Sequence, residues 1–206
     1  MGGDLYDFFF IDDDHLCFII GDVSDKGVPA SLFMAVTKTL IKSKAEKGLA
    51  PDMILQMINR DLSTDNEACM FVTIFLCILK VSTGEMSYSN GGHNFPYLIR
   101  EDGTSELLNS AHGLALGVDE EFPYESAKVI LKRGDTFFMY TDGVTEAENV
   151  NKELFSERRL EKEILDLRVK PIEEINQGIM ERIRAFSHDM PQSDDITMLI
   201  LRFYGK

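Results

Sequence analysis

The stretch Gly21–Ala35, "GDVSDKGVPASLFMA", follows the apolar run "LCFII" and decides how the chain is built. A β-rich run ends on Asp22, passes through a turn containing Ser24, Asp25 and Gly27, and enters a helix near Pro29, a residue suited to a first helical turn. Upstream, "LYDFFFI" (Leu5–Ile11) and "HLCFIIGDV" (His15–Val23) flank Asp12–Asp14, a pattern that predicts a hairpin. Downstream, a helix is predicted over Ala30–Lys47, with Leu32, Val36, Leu40 and Ile41 as its apolar face and Gly48 as its stop. A second helix, Asp52–Ser63, follows Pro51 and places Met53, Leu55, Met57, Ile58 and Leu62 at its apolar positions.

Strands then return. "MFVTIFLCILKV" (Met70–Val81) suits a strand buried on both faces, and "STGE" (Ser82–Glu85) is a turn. "MSYSNGGHNFPYLIR" holds two short strands broken at Gly91–Gly92, and "AKVILKRGDTFFMYTDG" two more around Arg133–Asp135. Between Glu153 and Ser187 the chain is charged, with helical spacing in two pieces separated by Pro171; "DITMLILRF" is a terminal strand. Helices come in pairs between blocks of strands, without strand–helix alternation. The expected class is therefore α+β: a four-layer αββα sandwich of two antiparallel sheets flanked by helices.

The bulk properties narrow the function. A chain of 206 residues suits one domain with a sizeable core. No apolar run approaches the roughly 18 residues of a membrane helix, and the start has no basic region of the secretory type. A net charge of −14 argues against nucleic acid or an anionic membrane surface as partner. Cys17, Cys69 and Cys77 match no zinc or redox spacing, and all three read as small buried hydrophobes in a reducing cytoplasm.

Five acids stand at the borders of apolar strands. Asp4 precedes the first, Asp22 ends the second, Asp142 follows "TFFMY", and Asp194 and Asp195 precede the last. A single aspartate at a strand end is most often a turn or cap residue, so the signal lies in the joint pattern. Carboxylates gathered at low dielectric repel unless a cation neutralises them. An oxygen-only ligand set suits magnesium or manganese, and two such ions about 3.5–4 Å apart can activate water for in-line attack on a phosphoryl group. Gly3 and Gly143, beside two of the acids, allow close approach.

At this point the motifs match a known family. "GGDLYDFF", "GDVSDKGVPASLFMA", "MFVTIF…STGEMSYSNGGHNFPYLI", "GLALGV", "GDTFFMYTDGVTEAEN" and "SDDITMLIL" resemble, in order, those of the metal-dependent PPM (type 2C) serine/threonine phosphatases. The likeness runs from Gly2 to Phe203 and is strongest to the bacterial SpoIIE-like and RsbU-like branch, which regulates sigma factors. It implies one phosphatase domain over residues 1–206 with two Mn2+ or Mg2+ ions. In that reading Asp22 bridges both ions and, with Asp142, is central to catalysis; the Val23 carbonyl, Asp4, Asp142 and Asp194 are further ligands, and Asp195 is able to exchange roles with Asp194. The implied reaction is direct hydrolysis by activated water, without a phosphoenzyme. The implied substrate is a phosphorylated protein, of the anti-anti-sigma (STAS) type in this branch, and the implied location is the cytoplasm.

The sequence also departs from the family. Ser24 replaces the histidine proposed as general acid in eukaryotic members, no arginine matches the phosphate binder, and His93 stands where many relatives have an acid for a third metal. His93 is open to two readings: a structural hydrogen bond at a strand break, or a catalytic or substrate role. The family's usual first helix and strand do not precede "GGD" here: either the sequence is trimmed ahead of the motif, or one sheet has an incomplete edge that could pair with a second chain in a homodimer. The helices after Asp22 are expected to act as a switch on the metal-binding acids, with Met34, Met53 and Met57 in the core; Thr145–Arg159 is expected to form a variable flap or a capped helix anchored by Phe155. Two other classes compete: a phosphatase-like module that binds phosphoprotein without turnover, and a hydrolase of another phosphoester such as a nucleotide. The latter lacks support from any phosphate-cradling Gly-Lys-Ser/Thr loop.

Overall fold

Asp4–Phe10 (β1) and His15–Val23 (β2) form the expected antiparallel hairpin, closed by Asp12, whose Oδ1 accepts the Asp14 and His15 amides at 2.8 Å each. The computed structural model describes residues 3–64, 66–188, 190–192 and 194–205; Gly2 and Ser193, which belong to two of the quoted motifs, lie outside them. The chain divides into two compact units. One takes in the segments up to His93 and Asn109–Leu131; the other takes in Asn94–Leu108 and Lys132–Tyr204.

The first unit continues through the helices Val28–Ala45 (α1) and Pro51–Ser63 (α2) to the strands Val72–Lys80 (β3) and Glu85–Gly91 (β4). Later segments add His112–Gly113 (β7) and Ala127–Ile130 (β8), giving the order β1-β2-β3-β4-β7 with β8 also paired to β4. The pairing is antiparallel except at β4–β7, where Asn90 and Gly91 run parallel to His112 and Gly113. Period-two alternation sorts the side chains. Leu5, Ile19, Val23 and Leu76 join the buried cluster shared with Ile41, Ile54, Leu55 and Ile58 of the two helices. Asp4, Asp22 and Thr73 therefore fall on the opposite face of the sheet, as do the exposed rings of Tyr6, Phe8 and Phe10 on the edge strand β1.

Helix α1 buries only part of the face expected: Ile41 is in the core and Leu40 packs against it, but Leu32 and Val36 are not. Ala30, Thr37, Ile41 and Ala45 are buried, whereas Leu32 and Val36 are 63% and 51% exposed. Thr37 tolerates burial because its hydroxyl donates to the Phe33 carbonyl at 2.8 Å. In α2, Ile54, Leu55, Ile58 and Leu62 are buried, but Met53 is half exposed, so the three methionines are not all core. The buried polar residue of α2, Asn59, is fully engaged: its Nδ2 donates to the Asp119 and Glu120 carbonyls and its Oδ1 accepts the Gly117 amide at 2.8 Å.

The second unit holds a sheet of order β10-β9-β5-β6, antiparallel throughout: Tyr97–Ile99 (β5), Ser105–Leu107 (β6), Thr136–Tyr140 (β9) and Met198–Arg202 (β10). After β9 come the short helix Asp142–Thr145 (α3) and the amphipathic helices Ser156–Leu167 (α4) and Ile172–Ser187 (α5). Leu160, Ile164, Ile175, Ile179 and Ile183 pack with Phe138, Tyr140 and Phe155 in one cluster. The turn before β9 is fixed by Asp135, only 2% exposed, which accepts from Arg100 at 2.7 Å and from the Lys132 amide at 2.9 Å. The segment after α3 is a short loop, not a continuous helix. Asn149 Oδ1 accepts the Asn151 and Glu153 amides, and Phe155 anchors the loop in the core as expected.

The cysteines correct another expectation. Cys17 and Cys77 are buried, but Cys69 is exposed in a left-handed turn (φ 52°). Burial pushes the Cys17 thiol up to about 12 and the Cys77 thiol well above its ordinary value, which suppresses the reactive thiolate. Iodoacetamide at pH 8 is therefore expected to label Cys69 in the folded protein and to reach Cys17 and Cys77 only after unfolding. Peptide mass spectrometry reads this, and labelling of Cys77 at the Cys69 rate would refute it. Among the described residues no helix is long and apolar enough to cross a membrane.

Candidate active site

Two groups of acids stand out, one in each unit. In the first, Asp4 and Asp22 are direct cross-strand partners in the β1–β2 register. Like charges placed opposite each other in a ladder destabilise it. Beside them Gly3 leaves a cradle: a Cβ there would lie 2.7 Å from both Asp22 Oδ1 and the Val23 carbonyl oxygen. These two oxygens thus border one small space, and it exists only because residue 3 has no side chain. Hydrogen bonds hold the strand end in place. The Val23 amide donates to the Gly3 carbonyl at 3.1 Å. Ser24 and Phe71 clasp each other, the Ser24 amide on the Phe71 carbonyl and the Phe71 amide on Ser24 Oγ, both at 2.9 Å. Ser24, at the position of the proposed general acid, is thus a backbone tie.

In the second unit the buried strand β9 delivers Asp142 as the first residue of α3. The strand end is fastened to the approach of β10: the Thr141 amide donates to the Thr197 carbonyl, and the Thr197 amide to Thr141 Oγ1, each at 3.0 Å. This clasp sets Asp194 and Asp195 beside α3, and the Asp195 carbonyl closes directly on Gly143. Asp194 Oδ1 accepts the Asp195 amide at 2.8 Å. Asp195 Oδ2 is buried, with no hydrogen-bond partner among the described residues. A buried carboxylate oxygen without a donor is costly, and a cation is one species that would relieve it.

Glu146 joins this group and was missed from the sequence. Its carboxyl is pushed above the usual carboxylate range, first by desolvation and then by the Asp142 and Asp194 carboxylates. The signal was available: Glu146 is four residues after Asp142, one helical turn on, and its amide donates to the Asp142 carbonyl at 2.8 Å. A cavity of about 310 Å³ opens beside Gly143, with Ala147, Met180 and Ile183 on its apolar wall and Arg184 as its cation.

The donor set of all five predicted acids is oxygen, and each is partly buried. The opposed Asp4–Asp22 pair, the cradle at Gly3 and the orphaned Asp195 oxygen all fit hard divalent cations. Among the described residues no three His, Cys, Asp or Glu side chains are gathered into a ready-made cage. Asp195→Asn separates charge from shape. It is expected to raise the metal-free stability by up to about 1 kcal/mol, because it removes one of two adjacent carboxylate charges, and to shrink the rise in melting temperature produced by Mn2+. A metal-free protein left less stable by this change would count against the argument.

These features have counterparts in known proteins. The family described as Stage II sporulation protein E (SpoIIE) matches residues 12–204, and the chain belongs to it. The fold, α+β as expected, is that of the PP2C domain: the structure of the SiaA PP2C domain of Pseudomonas aeruginosa superposes with a TM-score of 0.87 at 23% identity, covering 98% of this chain and 81% of that one. The phosphoserine phosphatase RsbU of Bacillus subtilis is 31% identical over 98% of this chain and 59% of its own length. The protein IcfG of Synechocystis sp. is 29% identical over 97% of this chain and 35% of its own length. The chain thus spans less than two thirds of either relative.

Proposed function

We propose that this chain is a metal-dependent protein phosphatase that hydrolyses phosphoserine or phosphothreonine on a small regulatory protein of the STAS type. The observation that carries the reading is the pairing of Asp4 with Asp22 around the Gly3 cradle, in a member of a family that includes phosphoserine phosphatases. The proposed ligands of two Mn2+ or Mg2+ ions are Asp4, Asp22, the Val23 carbonyl, Asp142 and Asp194, with Asp195 supplying its orphaned oxygen. Such ions, when bound, polarise the phosphoryl oxygens and lower the pKa of the attacking water.

The chain's own residues do the positioning. The ladder holds Asp22 opposite Asp4, and the Thr141–Thr197 clasp holds Asp142 near Asp194. Glu146 adds a further carboxyl one helical turn after Asp142, its amide bonded to the Asp142 carbonyl. A protein substrate agrees with the net charge of −14, which disfavours polyanions. The cytoplasm is the proposed location, and pairing through the edge strand β1 the proposed mode of any homodimer.

The test is hydrolysis of an aryl phosphate and of a phosphorylated STAS protein, with Mn2+ and with EDTA. Turnover that needs Mn2+ and favours the phosphoprotein is expected. Metal-independent turnover, or tight phosphoprotein binding without any turnover, would replace the reading with another hydrolase class or with a binding module.

A further inference from the structure

His93 lies in the strand break after Gly91–Gly92, is 4% exposed and belongs to the first unit. Its backbone is clamped by the fully buried Asn90: the His93 amide donates to Asn90 Oδ1 at 2.7 Å, and Asn90 Nδ2 donates to the His93 carbonyl at 2.9 Å. Two hydrogen bonds to one buried amide fix where the imidazole starts. Its Nδ1 then meets Thr73 Oγ1 at 2.9 Å. Thr73 is the β3 residue in register with Asp22, and its hydroxyl touches Asp22 twice: it accepts the Asp22 amide at 3.2 Å and lies 3.3 Å from the Asp22 carbonyl oxygen.

A hydroxyl has one proton to give. Donated to the Asp22 carbonyl, it leaves the Thr73 oxygen to accept from both the Asp22 amide and the His93 Nδ1–H, so that all three contacts are hydrogen bonds. We infer that His93 is a positioning residue: clamped by Asn90 and acting through the Thr73 hydroxyl, it fixes the backbone of Asp22 and hence the aim of the Asp22 carboxylate. This rests on the proposed metal-dependent reading for its function, though not for its geometry. Outer groups of this kind change metal affinity by about 10–100-fold when removed, because a ligand that must be ordered on binding holds its ion less well.

The experiment compares His93→Ala, His93→Asn, Thr73→Val and the double variant His93→Ala/Thr73→Val. Calorimetric titration with Mn2+ measures affinity, NMR hydrogen exchange measures the Asp22 amide in metal-free protein, and thermal melts report the fold. The expected result is that His93→Ala weakens Mn2+ binding about tenfold or more and speeds exchange at Asp22. His93→Asn, whose side-chain amide can present its N–H at the place of Nδ1, restores both to within about threefold, and the double variant is no worse than Thr73→Val alone. Unchanged exchange at Asp22 in a folded His93→Ala protein, failure of Asn to rescue, or additive penalties would each overturn the inference. Wild-type protein that takes up no Mn2+ would sink the hydrolytic reading, while exchange at Asp22 would still decide the clasp.

Discussion

Asp22→Asn is expected to lower Mn2+-dependent turnover by about 10³-fold or more, equivalent to about 4 kcal/mol of transition-state stabilisation. The same change is expected to leave the metal-free protein slightly more stable. Both expectations follow from one fact: Asp22 sits opposite Asp4 in the β1–β2 ladder, with its Oδ1 and the Val23 carbonyl bordering the Gly3 cradle. Without a cation the two facing carboxylates repel, so removing one charge relieves the strand pair by a few tenths of a kcal/mol. With a cation, that charge is what holds it. The diagnostic is therefore a pair of opposite signs, read by steady-state kinetics on a phosphorylated protein and by denaturant unfolding in EDTA. A variant that keeps wild-type turnover removes Asp22 from the site; one that loses both turnover and stability marks a merely structural aspartate.

The second large effect belongs to Gly143. A methyl group there would collide with the Asp195 carbonyl oxygen and come within 2.9 Å of its carbonyl carbon. Backbone cannot swing aside as the tip of a side chain can. Gly143→Ala is thus expected to cost about 1–3 kcal/mol, the usual range for overpacking. In a chain of this length that is a fall of about 3–10 °C in melting temperature. Turnover is expected to fall further than stability suggests, by about 10²-fold, because the displaced segment carries Asp194 and Asp195, and misplacement of about 1 Å costs that much. Thermal melts and kinetics at saturating Mn2+ test both parts; a folded Gly143→Ala protein of normal activity would mean that the Asp194–Asp195 segment does not serve the reaction.

Much of this architecture was legible because local signals agreed. Alternation and the Asp12–Asp14 turn marked the β1–β2 hairpin to within a residue or two, and the prolines and glycines around α1 and α2 marked both helices. The five acids were legible as punctuation, since each interrupts or borders an apolar strand. What failed was the choice between competing faces. Helix α1 has apolar residues almost all round, so Leu32 and Val36 looked as good as Ala30 and Ala45, and the buried stripe of Ala30, Thr37, Ile41 and Ala45 shares only Ile41 with the expected set. Cys69 has apolar neighbours, but a left-handed turn tips it into solvent, and that turn leaves no periodic trace. Glu146 was hidden by reading Asp142 as a strand end when it opens a helical turn. The role of His93 needed Thr73, 20 residues away in sequence, which only strand register supplies.

Asn59 has a consequence for how such chains diverge. Its buried amide is shared among Gly117, Asp119 and Glu120, so the helix and that distant loop are one mechanical part. A lineage that lengthens or shortens the loop strands a polar group in oil, and one that swaps the asparagine for leucine strands three peptide groups instead. Either change is tolerated only with its partner. Drift at position 59 and at positions 117–120 should therefore arrive as correlated steps, and grafting either piece alone between distant cousins should yield insoluble protein.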